Sequence, residues 1–347
     1  MSEISRRKDE HIDIVLAMEP NTRRCTTGLE RICFQHVALP EMSLDAVSLK
    51  TEFLGRGINA PFLISSMTGG PSRAATINRN ICEAANAVGV AFGVGSQRVA
   101  LEGQGIEGFS PDLRKNAPDV PILANFGAAQ LRTWDGAEMA RRATDMIGAD
   151  ALIVHLNPLQ EAVQTGGDKD WSHVLGALET LQRACEFPIV VKEVGFGISG
   201  RVARQLWNAG ITIIDVAGAG GTNWAMVEAE RAPTQREREV AQTFSSWGLP
   251  TAEAIAQVRR ACPDATIIGS GGIADGLDGA KAIRVGADVV GTAAGVLAAA
   301  TKSAQAVAEH LEGMIDQMRI TCFCTGSRNL EALHHASASG LPKVSTE

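Results

Sequence analysis

The sequence contains no tyrosine, and phenylalanine and tryptophan bring aromatics to only 4% of its 347 residues. A phenolic acid, base or nucleophile is therefore excluded. No apolar run approaches the roughly 18 residues of a membrane span, and the N-terminal MSEISRRKDEHIDIVL lacks the apolar centre of a secretory signal. A cytoplasmic location is the expectation. The seven cysteines, Cys25, Cys33, Cys82, Cys185, Cys262, Cys322 and Cys324, are odd in number and too scattered for a disulfide framework or a CxxC zinc pair. They read as reduced thiols, most of them buried as small apolar residues. Basic excess is missing as well: the net charge is −7, which argues against a nucleic-acid or acidic-lipid surface. Any anionic ligand has to be held by a local pocket.

Apolar residues, in contrast, make up 45% of the chain, enough for a full core. From Pro61 onward eight short apolar runs each empty into a polar or glycine-rich turn: PFLISSMTGG, VGVAFGVGSQR, PILANFG, DALIVHLNPLQE, PIVVKEVGFG, ITIIDVAGAGG, ATIIGSGGI and ADVVGTAAG. Between them lie helical patterns such as Ala74 to Val88, Gly136 to Ile147, Thr251 to Cys262 and Leu277 to Val285. Continuous apolar strands alternating with helices imply parallel strands buried on both faces. Eight such units predict an α/β fold, a closed (β/α)₈ barrel. The junctions IGAD and VGAD predict that Gly148 and Gly286 end their helices in a left-handed conformation. Upstream, Ser5 to Ala17 has the spacing of a short amphipathic helix with Arg6, Arg7, Lys8 and His11 near its start. That places cations where the helix dipole disfavours them, unless an anion is held there.

In a barrel of this kind the C-terminal strand ends form one rim, where active sites lie. GSGGI after the seventh run and GTAAG after the eighth predict a phosphate site. Lys192 ends the fifth run inside the barrel and needs an anionic partner. Three partners fit: a flavin ring that becomes anionic on reduction, a Schiff-base carbonyl, or an internal carboxylate. Glu193 points to the other side of the strand. HLNPLQE brings His155, Asn157, Gln160 and Glu161 together at the end of the fourth run. Glu161 suits Mg²⁺ held by one carboxylate, water and substrate oxygens, and equally a carboxylate at a helix start.

RKDEH, SSMTGG, GVGSQR, ANFGA, HLNPLQEAVQ, VKEVGFGIS, DVAGAGGTNWAMVEAER, GSGGI, GTAAG and CTGSRNLEAL run in order along nearly the whole chain. In these the sequence resembles the type 2 isopentenyl-diphosphate isomerases, FMN-dependent (β/α)₈ enzymes of isoprenoid synthesis. HLNPLQE and GGTNW are specific; the glycine loops are not. The resemblance implies interconversion of isopentenyl and dimethylallyl diphosphate on reduced FMN, with NADPH or NADH as reductant. It implies FMN on Ser65, Met67, Thr68, Ser96, Asn125, Lys192, Thr222, Gly271, Gly272, Ala293 and Ala294. The diphosphate would meet Arg7, Lys8, His11, Ser96, Arg98, Asn157 and Gln160, with Mg²⁺ on Glu161, His155 in the same pocket and Trp224 near the allylic group. Gln160 and His155 are the catalytic candidates. Homotetramers or homo-octamers follow from the same likeness, as does a division into an extension at 1–59 that contributes to the substrate site, a barrel at 60–333 and a tail. The tail, 334–347, reads as irregular and disordered. Thr165, Gly166 and Gly167 depart from the proline and polar pair of many relatives. An FMN-dependent 2-hydroxy-acid oxidase would need a histidine base and an arginine clamp beyond the sixth strand, where this chain has Gly220, Gly221, Thr222, Asn223 and Trp224.

Overall fold

The computed structural model describes residues 3–17, 25–66, 73–103 and 108–343, the side chains of residues 3–9 excepted. Eight strands form at the eight apolar runs: β1 Phe62–Ile64, β2 Ala91–Gly93, β3 Ile122–Gly127, β4 Ala151–Leu156, β5 Ile189–Glu193, β6 Ile213–Asp215, β7 Thr266–Ser270 and β8 Val289–Thr292. They pair in chain order, all parallel, and β8 returns to β1, so the sheet closes. The (β/α)₈ expectation holds. Apolar side chains on both strand faces are the reason: one face fills the barrel and the other meets the helices, and β3 is buried at every position.

The helices begin and end where their capping chemistry directs. Asp135 opens Gly136–Ile147 by accepting from the Glu138 N–H at 3.1 Å, and Gly148 closes it at φ 62°, the left-handed cap expected. Gly286 differs. Its φ is 130°, outside the left-handed helical well, and its N–H is shared between the Ala282 and Ile283 carbonyls.

The barrel interior has a sharp chemical boundary. Every strand reaches a single apolar cluster, through Leu63, Ala91, Leu123, Ile153 together with Ala151, Val190, Ile268 and Val289, with half-buried Ile213 packed against it. Side chains alternate along a strand, so the next inward position lies two residues on. Those positions hold Ser65, Gly93, Asn125, His155, Lys192, Asp215, Ser270 and Gly291. The apolar layer is the floor of the site. Truncating a buried member such as Ile153 to alanine would cost about 2–5 kcal/mol.

The first 59 residues do two separate jobs. The helix Glu3–Ala17 lies at the rim, while a hairpin of Thr51–Phe53 and Arg56–Ile58 adds Phe53 and Ile58 to the apolar layer from the opposite end. Against the expectation of a disordered tail, Ala338–Ser339 pairs antiparallel with Cys33–Phe34 and Ala336 is buried. The partner strand stands some three hundred residues earlier, so local pattern could not reveal it. Residues 344–347 lie outside the described residues.

Candidate active site

Where the barrel interior turns polar, a cavity of about 460 Å³ opens. Ser65, Asn125, His155, Lys192 and Ser270 of the polar layer line it. So do Ser96, Arg98, Asn157, Gln160, Glu161, Thr222, Trp224, Gly271, Gly272, Ala293, Ala294 and, from the rim helix, His11. Every described side chain expected at the site therefore faces one space. Met67 and Thr68 lie outside the described residues, as do the side chains of Arg7 and Lys8.

His155 and Asn125 are locked together. His155 Nδ1 lies 2.8 Å from Asn125 Oδ1, an acceptor, so this nitrogen carries the proton. Asn125 is aimed by its own amide, which donates to the Val94 carbonyl at 3.1 Å, and by buried Gln97, whose Oε1 accepts from the Asn125 N–H at 2.9 Å.

Lys192 donates to the Glu193 carbonyl oxygen at 2.6 Å and lies 4.0 Å from buried Asp215. Of the three partners considered, an internal carboxylate is thus present, and the ammonium still lines the cavity. Glu193 turns away as alternation requires. Its Oε2 accepts from the N–H groups of Val194, Gly195, Phe196 and Gly197, which folds VGFG into a tight wall. Burial nevertheless pushes the Glu193 carboxyl up to about 7, against the pull of those donors and of Lys192.

The short helix Pro158–Val163 presents the HLNPLQE side chains. Asn157 Nδ2 donates to Gln160 Oε1 at 3.1 Å and to Glu161 Oε1 at 3.0 Å. Gln160 Nε2 in turn donates to Glu228 Oε1 at 3.0 Å, so both ends of its amide are fixed. Glu228 is 3% exposed, and a sequence reading of strand ends misses it because it sits on the helix Trp224–Arg231 rather than on the rim itself. Its Oε2 accepts from Arg231 at 2.8 Å, and its Oε1 lies 3.0 Å from His11 Nε2. Burial raises the pKa of this carboxyl, but His11, Gln160 and Arg231 together outweigh that and hold it below the usual range.

The rim helix packs across the mouth of the barrel. Arg231 Nε donates to Glu10 at 3.0 Å, Arg73 to Asp13 at 2.7 Å, and the His11 ring meets Trp224 edge-on with centroids 5.2 Å apart. Arg98 is held at the rim by Glu102 and Asp168, each at 3.0 Å.

The residues present fit a flavin phosphate and ring. At Gly271, φ is 107° and an added Cβ would stand 2.1 Å from the Gly218 carbonyl; at Gly272, φ is 72° and the nearest atom is the Gly220 carbonyl at 2.5 Å. Only glycine lets these loops approach so closely. Ser65 and Ser66 line the cavity with buried hydroxyls that have no hydrogen-bond partner among the described residues, and Lys192 supplies a cation. Among the described residues no group of three or more His, Cys, Asp or Glu side chains gathers as a metal site. Nor is any helix there long and apolar enough to cross a membrane.

The sequence model of the FMN-dependent dehydrogenases matches residues 127–339. An isopentenyl-diphosphate delta-isomerase from Xanthobacter autotrophicus is 57% identical, over 94% of this chain and 95% of that protein. The chain belongs to the FMN-dependent isopentenyl-diphosphate delta-isomerase family. A family member from Synechocystis is 48% identical, over 96% and 95% of the two chains. Mandelate oxidase with (S)-4-hydroxymandelic acid superposes with a TM-score of 0.65 over 97% of this chain and 98% of that one, at 16% identity, a likeness of fold alone.

Within this isomerase family the Thr165–Gly167 departure has a physical reading. A Cβ on Gly167 would stand 2.1 Å from the Glu161 carbonyl oxygen and 2.9 Å from Glu161 Oε2. The bare glycine lets the loop fold onto Glu161, where the Asp168 N–H donates to Oε2 at 2.7 Å. In this chain that loop fixes the carboxylate expected to hold the metal.

Proposed function

We propose that this protein interconverts isopentenyl diphosphate and dimethylallyl diphosphate in the cytoplasm, on FMN kept reduced by NADPH or NADH, with Mg²⁺ on the diphosphate. A proton is added to the terminal carbon of the double bond and another is removed from the carbon on its far side, so no electrons are gained or lost. Reduced FMN, when bound, supplies a ring nitrogen that can give and take a proton. That addresses a chemical shortage, since an unactivated alkene needs a strong acid and the chain has no phenol.

The protein's own groups bind and orient. Ser65, Ser96, Asn125 and Thr222 offer hydrogen bonds to the ring edges, Lys192 offers charge at one edge, and Gly271, Gly272, Ala293 and Ala294 offer backbone room for the cofactor phosphate. His11, Arg98, Asn157 and Gln160, with Arg7 and Lys8, are assigned to the substrate diphosphate, and Glu161 to its metal, consistent with the Asn157 and Asp168 donors that orient its oxygens. Trp224 and His11 then wall off the hydrocarbon end from water.

The observation that carries this reading is that Ser65, Asn125, His155, Lys192 and Ser270 of the polar layer line the same cavity as Asn157, Gln160 and His11, which Glu228 ties together from behind. The segment Gly220 to Trp224 that follows β6 carries neither the histidine base nor the arginine clamp an oxidase needs there. A homotetramer or homo-octamer is part of the proposal, with no nucleic-acid or membrane partner. The test is to purify the protein, read its flavin absorbance, and incubate it with isopentenyl diphosphate and Mg²⁺ under dithionite. Turnover that stops with chelator and is absent from the Gln160→Ala variant, whose flavin remains bound, is the expected result. Loss of flavin from that variant would overturn the assignment of Gln160.

A further inference from the structure

Six members of the polar layer carry functional side chains, and five of them line the cavity: Ser65, Asn125, His155, Lys192 and Ser270. Asp215 does not. It is 0% exposed, lies directly beside Lys192 in the β5–β6 register, and faces the barrel axis beneath the site. Its Oδ1 accepts from the Ser270 hydroxyl and from the Ala217 N–H, the latter at 3.3 Å. Among the described residues its Oδ2 has no hydrogen-bond partner, and it lies 4.0 Å from Lys192 Nζ.

A carboxylate so placed is costly unless a cation compensates it. An ammonium beside a ring that gains electron density would, for its part, be a strong electrostatic lever. We propose that Asp215 is the buried counter-ion of Lys192, a positioning residue that holds the ammonium at the cavity floor and offsets part of the charge it presents to the flavin. Ser270 and Ala217 fix one carboxylate oxygen, which leaves the other free to face the lysine. Ala217 adopts a positive φ of 36°, rare for a residue with a side chain, and its N–H is aimed at Asp215. Burial raises the Asp215 carboxyl above its ordinary value, and the Lys192 ammonium, Ser270 and Ala217 pull it back only in part. The inference rests on the FMN reading for its consequence but not for the pair itself.

Two experiments test it. In FMN-loaded protein, Asp215→Asn removes the offsetting charge while keeping the shape, so the protein should favour reduced over oxidised FMN more strongly, on the order of tenfold. Dye-equilibrated titration should read this as a potential about 30 mV more positive. Ser270→Ala, which keeps the charge, should leave the potential near that of the parent. An unchanged potential in Asp215→Asn, as a protonated Asp215 would give, overturns the proposal. The second experiment needs no flavin. Lys192→Met alone strands the carboxylate and should melt below the Lys192→Met/Asp215→Asn double variant. A double variant no more stable than the single would overturn the pairing even if Asp215→Asn alone failed to fold. Parent protein that bound no FMN while the double variant showed this rescue would instead refute the cofactor reading and leave the pair standing.

Discussion

Replacing Glu228 by alanine removes the acceptor on which the rim helix and the HLNPLQE cluster converge. The carboxylate is 3% exposed and takes Gln160 at 3.0 Å and Arg231 at 2.8 Å, with His11 at 3.0 Å. Breaking one side of a buried ion pair costs about 3–5 kcal/mol. The lower end applies here, because the Arg231 side chain is 19% exposed and keeps Glu10 as a partner. At roughly 2–4 °C per kcal/mol for a large domain, about 3 kcal/mol lowers the melting temperature by about 6–12 °C. Calorimetry measures the loss, and hydrogen exchange over residues 10–17 reports release of the rim helix. The pH dependence has a fixed sign. A carboxyl whose folded pKa is depressed contributes stability above its unfolded value, about 4.3, and loses it as pH falls through the folded value. Glu228→Gln should therefore flatten the stability curve in that acid window and nowhere else. A Glu228→Ala melting temperature within about 2 °C of the parent, far below the expected drop of about 6–12 °C, with unchanged exchange in the helix, would show that Glu228 does not tie the two parts together.

Gly271→Ala forces a Cβ to 2.1 Å from a backbone carbonyl at φ 107°; FMN affinity should fall by about tenfold or more, read from flavin content after dialysis, and full retention would contradict the cradle. Gly167→Ala pushes the loop off Glu161, so the Mg²⁺ needed for half-maximal turnover should rise by about tenfold, the worth of one lost charged hydrogen bond; an unchanged Mg²⁺ requirement would mean that the loop does not hold the carboxylate. Among the cysteines, exposed Cys33 should react first with a thiol reagent, whereas Cys82 and Cys322, which burial pushes up to about 12, should react only on unfolding; fast labelling of either in folded protein would show that the core opens.

The barrel was readable from sequence because each strand is apolar on both faces and stops at a glycine or polar residue, so Leu123 followed by Asn125, or Val190 by Lys192, marks the floor and then the site. The same rule failed for groups that act from behind the rim. Glu228 lies four residues inside a helix, and its role depends on His11 arriving from more than two hundred residues earlier. Asp215 was in plain view as the last residue of β6, but only the register with Lys192 reveals what it faces. The Ala338–Ser339 strand was missed for a related reason: two residues carry no periodicity, and their partner Cys33–Phe34 is distant in the chain.

Isomerisation in deuterium oxide under NADPH tests the central claim most directly, because proton transfer without net redox change leaves a countable trace. The dimethylallyl diphosphate formed should carry solvent deuterium, with NADPH consumed only to reduce the flavin at the start. Turnover by the oxidised protein, or one NADPH consumed for every product formed, would contradict it.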